Sequence, residues 1–226
     1  MKKYRYLFWD LDGTLTNSYP GIRNCVKYAL DHFGITLQEE EYRKFIGPPL
    51  RVSFPEVCGF DKETTEEAVR LYRERYVPVG LYETELFPGV KEALTALRAA
   101  GYRQYLTSSK PEPQCRMLLE KLGLAGLFDD IVGASLDGRI DSKLSVLEET
   151  FRRLEDSDPA YKKEDTVLIG DTRFDAEGAM EAGIDFVGVG YGYGDREEMQ
   201  ALGALAVYDS LAEFCADLQN DGKRAE

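Results

Sequence analysis

The sequence contains little cysteine and a single histidine, which limits the metal and redox sites it can build. Its cysteines lie far apart, and none belongs to a CxxC pair. Neither a zinc site nor a disulfide framework is therefore indicated, and a chain of 226 residues is large enough to form a core without disulfides. We expect reduced thiols in a cytoplasmic protein, and we expect His32 to be structural or on the surface.

Positive charge and long apolar runs are also scarce. Lysine and arginine number 28 against 41 aspartates and glutamates, which gives a net charge of −13. This acidity argues against a nucleic acid polymer or an anionic membrane as a partner. No apolar run approaches the length of a transmembrane helix. An anionic small molecule remains possible as a substrate, but a local cation must then offset the charge of the protein.

Strand-like and helical patterns alternate along most of the chain. Strands are predicted at Tyr6–Trp9, Arg103–Thr107, Asp130–Gly133, Thr166–Ile169 and Phe186–Val189. Apolar residues with helical spacing lie between these runs. Such alternation predicts an α/β fold, with a Rossmann-like parallel sheet that carries helices on both faces.

The stretch from residue 16 to residue 86 differs from the rest. It contains no convincing strand, and Ile22, Val26, Leu30 and Phe33 share one face of a predicted amphipathic helix. We interpret residues 16–86 as a helical domain inserted after the first strand. Residues 1–15 and 87–226 then form the α/β core.

The segment Asp10–Leu15, with the sequence DLDGTL, directly follows the first predicted strand. Two carboxylates that lie two residues apart at a strand end can reach one site if the strand gives way to a loop, and Gly13 supplies the necessary backbone freedom. Clustered negative charge is costly without a counterion, so the segment indicates a bound cation. A carboxylate can also attack phosphorus covalently.

Other polar residues follow later strands of the same predicted sheet. The second strand ends at Thr107–Lys110, Lys143 opens a predicted helix, and the segment Gly170–Asp175 follows a further strand. Ligands of such sheets bind outside the carboxyl ends of the strands. Carboxylates, a hydroxyl group and an ammonium group together suit Mg²⁺ and a phosphoryl group.

The combination of DxDGT near the start with a late GDxxxD resembles the haloacid dehalogenase superfamily, in the branch with a helical C1 cap inserted after the first motif. The resemblance covers nearly the whole chain. It implies that residues 16–86 are the cap and that Asp10 is the nucleophile that forms an aspartyl-phosphate. Asp12 would protonate the leaving oxygen and then activate the water that cleaves the intermediate.

The resemblance also implies a magnesium site. Asp171 would ligate Mg²⁺ together with Asp10 and the backbone carbonyl of Asp12, and Asp175 would bind the ion directly or through water. The alternative for Asp175 is a charge in the first turn of a helix.

Ser108 matches the serine or threonine of the second motif, which would bind a phosphate oxygen. Lys143 matches the lysine of the third motif, which would offset the negative charge. Two alternatives stay open here: Ser108 caps the helix after Pro111 while Thr107 binds the phosphate, or Lys143 is a solvated helix residue.

Substrate contacts are expected from Gly13, Thr14 and Ser109 in the core and from Arg51 in the cap. Arg51 follows two prolines that stiffen its loop, so its guanidinium group could reach an anionic leaving group. The alternative is a helix connector with a surface arginine.

The leading hypothesis is a Mg²⁺-dependent phosphatase of a small soluble phosphomonoester. The chain is similar to phosphoglycolate phosphatase-like and 5′-nucleotidase-like members of the superfamily, which leaves the substrate open, and we expect a monomer or dimer. A sugar phosphomutase is a weaker alternative because the stretch Ser18–Ile22 lacks the expected histidine. The other alternative is a phospho-accepting signalling module. The glycine-rich segment Gly188–Gly194 is expected to be a mobile turn beside the active site and not a dinucleotide-binding loop.

Overall fold

The computed structural model describes residues 4–224, so residues 1–3 and 225–226, which belong to the predicted core, lie outside the described residues. The chain forms two compact units. The core unit comprises the chain up to Leu15 together with the chain from Leu86 onward, and the inserted unit comprises Thr16–Glu85.

The strands and helices follow one another in the order of an α/β chain with one interruption. The strands are β1 (Tyr6–Trp9), β2 (Thr16–Asn17), β3 (Glu85–Leu86), β4 (Arg103–Pro111), β5 (Asp130–Ala134), β6 (Thr166–Gly170), β7 (Asp185–Val189) and β8 (Val207–Tyr208). The α-helices are α1 (Tyr19–His32), α2 (Glu39–Tyr42), α3 (Leu50–Cys58), α4 (Lys62–Tyr76), α5 (Val90–Ala99), α6 (Glu112–Lys121), α7 (Lys143–Ser157), α8 (Arg173–Ala182), α9 (Arg196–Ala201) and α10 (Leu211–Arg224).

The core unit is built on a six-stranded sheet in the order β5-β4-β1-β6-β7-β8. Each neighbouring pair is parallel, and β1 lies between β4 and β6. The parallel register aligns Trp9 with Leu106 on one side and with Ile169 on the other. The carboxyl ends of these three strands therefore meet at one edge of the sheet.

Alternate side chains of β1 enter two different apolar layers. Tyr6 and Phe8 pack in a cluster with Leu147 and Phe151 of α7 and with Ala176 of α8. Residues that alternate along a strand point to opposite faces, and every side chain of β1 is buried. A continuous apolar run is the pattern of a parallel strand that is covered on both sides.

The second face of the sheet carries other helices. Trp9 makes an edge contact with Phe214 of α10, with ring centroids 5.9 Å apart. Gln104, which pairs with Leu7, donates a hydrogen bond to the carbonyl of Leu94 in α5 at 2.9 Å. The prediction of a parallel sheet with helices on both faces is confirmed.

The inserted unit contains α1 to α4, and α1 packs against α4. Ile22, Val26 and Leu30 are buried along one side of α1, as their spacing predicts. Arg75 near the end of α4 forms two hydrogen bonds to the carboxylate of Glu83, at 2.8 and 2.9 Å.

The predicted strands of the core are all present, with differences at their ends. β4 extends to Pro111, four residues beyond its predicted end, and its pairing with β5 shifts register between Ser108 and Pro111. The short strands β2 and β3, which pair with each other, and β8 were not predicted. Two residues are too few to show a period. Among the described residues, no helix is long and apolar enough to span a membrane.

Candidate active site

The site begins where β1 ends. The backbone N–H of Asp10 donates to the carbonyl of Ile169 at 2.9 Å, so Asp10 still follows the line of the sheet. Gly13 then adopts a left-handed backbone with φ 96°, a region that favours glycine. A Cβ atom on Gly13 would lie only 2.1 Å from Oδ2 of Asp171. The turn after β1 therefore requires glycine both for its backbone and for its close approach to Asp171.

Three aspartates from two strand ends converge on one point. Asp10, Asp171 and Asp175 each offer a carboxylate oxygen, and these oxygens lie within 4.8 Å of one another. All three residues are buried. Asp10 follows β1, whereas Asp171 and Asp175 follow β6, the neighbouring strand. The parallel register of the two strands accounts for the encounter.

Lys143 is the cation within this cluster. Its ammonium group donates to Oδ1 of Asp10 at 2.6 Å and to the carbonyl of Thr107 at 2.9 Å, and it lies 2.7 Å from Oδ1 of Asp175. Lys143 is the first residue of α7, which Ser142 caps by accepting the backbone N–H of Ser145 at 3.1 Å. Lys143 is buried, so the alternative of a solvated helix residue does not describe its position.

Charge in the cluster is not balanced by the protein. Three carboxylates and one ammonium group formally leave two negative charges. Burial raises the pKa of Asp10 to about 7 despite the opposing effect of Lys143, and Asp175 and Asp12 raise it further. Burial, followed by the charges of Asp175 and Asp10, also raises the pKa of Asp171 well above its usual range. Hard oxygen donors around unbalanced negative charge fit a divalent cation such as Mg²⁺.

Asp175 has two roles in the structure. Its Oδ2 accepts the backbone N–H of Thr172 at 3.0 Å and that of Asp171 at 3.2 Å, and also the Thr172 hydroxyl at 2.9 Å, at the start of α8. Its Oδ1 lies beside Lys143. Asp175 thus lies in the first turn of α8, as the alternative describes, but its Oδ1 also belongs to the acidic cluster.

Asp12 is held by Lys110, which in the sequence lies next to the motif residues but was not included among the predicted site residues. The ammonium group of Lys110 donates to Oδ1 of Asp12 at 2.7 Å and to Oδ2 at 2.5 Å. Lys110 reaches this position because β4 continues past Thr107, and its side chain is only 4% exposed. The available signal was a lysine directly before Pro111, at the end of a strand that lies next to β1.

Ser108 and Thr107 take different positions at the end of β4. Thr107 directs its hydroxyl back to the carbonyl of Trp9 at 3.4 Å, whereas Ser108 accepts the backbone N–H of Lys110 at 3.3 Å. The N-cap of α6 is Pro111, and no side chain caps this helix. The alternative in which Ser108 caps the helix is therefore wrong. Phosphate binding by Ser108 and Ser109 stays a prediction.

Thr14 contacts Asp171 directly. Its hydroxyl donates to Oδ1 of Asp171 at 3.0 Å, and the backbone N–H of Tyr193 donates to Oδ2 at 2.8 Å. The sequence indicated Thr14 as a substrate residue and placed the segment Gly188–Gly194 beside the active site, but it did not indicate the backbone N–H of Tyr193 as a donor. The substrate contacts expected from Gly13 and Thr14 stay predictions.

Arg51 lies in the inserted unit, at the start of α3. Its guanidinium group donates to both carboxylate oxygens of Glu66, at 2.5 and 2.8 Å. Both side chains are about half exposed, at 51% and 48%. Its expected contact with substrate stays a prediction.

Comparisons with known proteins agree with this geometry. Residues 7–189 match the sequence model of the haloacid dehalogenase-like hydrolase family. A 5′-nucleotidase of Pseudomonas aeruginosa is 37% identical, over 96% of this chain and 93% of that protein. Tyrosine-protein kinase PtkA of Mycobacterium tuberculosis is 36% identical, over 92% and 71%. A phosphoglycolate phosphatase of Rhodospirillum rubrum is 32% identical, over 91% and 87%. The crystal structure of a "predicted phosphatase" from Clostridium acetobutylicum superposes with a TM-score of 0.90 at 35% identity, over 97% of this chain and 100% of that one.

Proposed function

This chain belongs to the haloacid dehalogenase-like hydrolase family, and from that premise we propose that it is a Mg²⁺-dependent phosphatase that works through an aspartyl-phosphate on Asp10. Its family and its phosphatase relatives make it a phosphoric monoester hydrolase. The observation that carries the mechanism is the convergence of Asp10, Asp171 and Asp175 around Lys143.

The first half of the reaction transfers the phosphoryl group to the protein. A carboxylate oxygen of Asp10 forms a bond to phosphorus while the bond from phosphorus to the leaving oxygen breaks, and Asp12 gives the leaving oxygen a proton. Asp10, Asp171 and Asp175 would hold Mg²⁺, which supplies positive charge to offset the approach of an anionic phosphate. Lys143 adds a fixed ammonium group next to the attacking carboxylate.

The second half releases phosphate. Asp12, now ionised, accepts a proton from a water molecule whose oxygen attacks phosphorus, and the bond between Asp10 and phosphorus breaks. Lys110 holds both oxygens of Asp12, which supports an assignment of Lys110 to orienting this acid and base. Attack on phosphorus regenerates the carboxylate of Asp10, so the protein returns to its initial state.

The substrate class follows from the relatives and from the proposed division of labour. The residues assigned to the phosphoryl group all lie in the core unit, so we assign recognition of the leaving group to the inserted unit as a cap, through Arg51. A 5′-nucleotidase and a phosphoglycolate phosphatase are among the relatives, which supports a small phosphomonoester of the nucleotide or phosphoglycolate type. The cytoplasmic location and the monomeric or dimeric state stay predictions.

The test is hydrolysis of p-nitrophenyl phosphate by the purified protein with Mg²⁺ and with EDTA. We expect Mg²⁺-dependent release of inorganic phosphate, lost in Asp10→Asn and in Asp12→Asn, and unchanged in Asp156→Asn, which removes an exposed carboxylate. Borohydride reduction of the trapped enzyme should convert Asp10 to homoserine. Full activity in both Asp10→Asn and Asp12→Asn would overturn the mechanism.

A second candidate function is transfer of the phosphoryl group to a protein tyrosine. The similarity to tyrosine-protein kinase PtkA, at 36% identity over 92% of this chain, favours it. Incubation with radiolabelled ATP and a tyrosine-containing peptide separates the two functions. Phosphotyrosine would support transfer, whereas release of inorganic phosphate from small esters, with no labelled peptide, would support the phosphatase.

A further inference from the structure

The glycine-rich segment after β7 lies against the acidic cluster, and the proposed chemistry gives it no role. We call residues 190–194, with the sequence GYGYG, the Gly-Tyr loop. It follows β7, which is the neighbour of β6 in the sheet. The loop therefore starts at the same edge of the sheet as Asp171, which follows β6.

Glycine at two positions of the loop allows its backbone to approach Asp171 closely. A Cβ atom on Gly192 would lie 2.3 Å from Cβ of Asp171, and one on Gly194 would lie 2.1 Å from its carbonyl oxygen. Real Cβ atoms do not approach other atoms so closely, and neither glycine has a left-handed backbone. These two positions exclude side chains by lack of space, so the loop backbone is packed directly on Asp171.

The carboxylate of Asp171 is oriented by two donors that come from different segments. Thr14 donates its hydroxyl to Oδ1 at 3.0 Å, and Tyr193 donates its backbone N–H to Oδ2 at 2.8 Å. Rotation of a carboxylate about its terminal bond has only broad preferences of its own. The direction in which Asp171 presents its oxygens therefore depends on where these two donors are held.

Tyr191 joins the two segments that supply the donors. Its hydroxyl donates to the backbone carbonyl of Thr14 at 2.7 Å. Its ring packs on Phe87, with centroids 4.9 Å apart, and the N–H of Phe87 donates to the carbonyl of Leu15 at 3.1 Å. Tyr191 is thus held from two sides, and it lies two residues from the N–H group that reaches Asp171.

We propose that Tyr191 is a positioning residue for the metal site, which fixes the Asp171 carboxylate by holding the Gly-Tyr loop to Thr14. The inference rests on the proposed function, because that function assigns Asp171 to the cation. Residues that orient a metal ligand typically contribute about 10- to 100-fold to metal affinity. One neutral hydrogen bond, lost while the ring stays in place, corresponds to the lower end of that range, about 10-fold.

Tyr191→Phe tests this directly because it keeps the ring and removes only the hydroxyl. The matched control is Tyr208→Phe, which removes a hydroxyl that donates to Asp217 at 2.8 Å, outside the acidic cluster. Calorimetric titration with Mg²⁺ alone, without substrate, measures the affinity. We expect Tyr191→Phe to bind Mg²⁺ about 10-fold more weakly than the unmodified protein, and Tyr208→Phe to bind as the unmodified protein does.

A second pair of variants acts on the other donor. Thr14→Val removes the hydroxyl that reaches Asp171 and should weaken Mg²⁺ binding, whereas Thr14→Ser keeps the donor and should restore most of it. A tyrosine with a merely structural role would lower the melting temperature of Tyr191→Phe without changing its Mg²⁺ affinity. Equal affinities of Tyr191→Phe and the unmodified protein would overturn the inference.

The same titration separates this inference from the proposed function. If the unmodified protein binds Mg²⁺ and Tyr191→Phe binds it equally well, only the role of Tyr191 is wrong. If the unmodified protein does not bind Mg²⁺ and releases no phosphate, the proposed function is wrong, and the role of Tyr191 is rejected with it.

Discussion

Replacing Asp171 by asparagine is expected to stabilise the metal-free protein and to abolish its response to Mg²⁺. The two hydrogen bonds of Asp171 can survive the change. The amide oxygen can accept the N–H of Tyr193, and the amide nitrogen can donate to the hydroxyl of Thr14, which then turns its own proton elsewhere. Asp171→Asn therefore removes a buried charge at nearly constant shape and with both contacts satisfied.

The magnitude follows from the spacing of the acidic cluster. Two unit charges that lie within 4.8 Å of each other repel each other by about 3.5 kcal/mol or more at an effective dielectric constant of about 20. Asp171 faces two such neighbours, and Lys143 offsets part of this repulsion. A carboxylate that takes up a proton loses its charge and so avoids the remaining repulsion. Structural relaxation lowers the free-energy cost of the buried charges further. We expect Asp171→Asn to raise the free energy of unfolding by about 1 to 3 kcal/mol at pH 7.5 in EDTA.

The pH dependence gives the prediction a second signature. The pKa values of Asp10 and Asp171 are raised in the folded protein. At pH values between an ordinary aspartate pKa of about 3.9 and these raised pKa values, the folded state therefore holds more protons than the unfolded state. Stability then falls as the pH rises, by at most about 1.4 kcal/mol per pH unit for each such group. For Asp10 this fall in stability ends at about pH 7, the raised pKa of its carboxyl group. The gain in the free energy of unfolding from Asp171→Asn should therefore be smaller at pH 5 than at pH 7.5.

Urea unfolding at both pH values, in EDTA and in excess Mg²⁺, is the assay. A ligand at about 100 times its dissociation constant adds about 2.7 kcal/mol to the stability of the protein that binds it. Excess Mg²⁺ should raise the free energy of unfolding of the unmodified protein by about this amount, whereas it should not stabilise Asp171→Asn. Asp156→Asn controls for the overall loss of one negative charge, because Asp156 is exposed and pairs with the exposed Arg152.

Two results would refute the electrostatic reasoning. In one, Asp171→Asn is less stable than the unmodified protein in EDTA at pH 7.5, so that charge repulsion does not dominate at this position. In the other, Mg²⁺ stabilises Asp171→Asn as much as it stabilises the unmodified protein, so that Asp171 does not belong to the cation site.

Three further outcomes follow from single contacts. Lys110→Met should lower kcat/KM for p-nitrophenyl phosphate by about 10-fold or more through loss of the orientation of Asp12, and Lys110→Arg should recover part of it; equal rates in steady-state assays would reject this role. Gly13→Ala should abolish Mg²⁺ binding, measured by calorimetry, because its Cβ would collide with Asp171. The control is Gly203→Ala, at a similar φ of 92° but with no atom nearby. It should lower the free energy of unfolding by roughly 1 kcal/mol, the cost of a side chain in this backbone conformation. Arg51→Gln should raise KM for an anionic substrate such as phosphoglycolate and leave p-nitrophenyl phosphate kinetics unchanged, and its melting temperature should change little because exposed ion pairs contribute less than about 1 kcal/mol.

The sequence predicted the convergence of the acidic cluster because that convergence depends on regular structure. Asp10 and Asp171 directly follow apolar runs that form adjacent parallel strands, and parallel strands end at the same edge of the sheet. Lys143 was placed at a helix start in the sequence, and it is the first residue of α7. Strand ends and helix starts leave clear patterns, so these residues were accessible to reasoning from the sequence.

Contacts made by irregular backbone were not accessible in the same way. Lys110 contacts Asp12 from the part of β4 that lies beyond its predicted end, where the pairing with β5 shifts register. Tyr193 contributes a backbone N–H group, which every residue except proline has. The glycines at 192 and 194 were noted as a motif, but their packing against Asp171 depends on a loop path that no periodicity encodes.

The number of donors in the site supports the proposal that a metal ion acts in addition to two lysines. Lys143 has three N–H groups, and they face Asp10, Asp175 and the carbonyl of Thr107. Because these groups are engaged, Lys143 cannot also hold Asp12, and that carboxylate has Lys110. Each lysine thus serves a different carboxylate of the proposed mechanism. Among the described residues, the hydrogen-bond donors to Asp171 are neutral. In the proposed mechanism the charge that meets an incoming phosphate is therefore negative, and a divalent cation would offset it before Asp10 attacks.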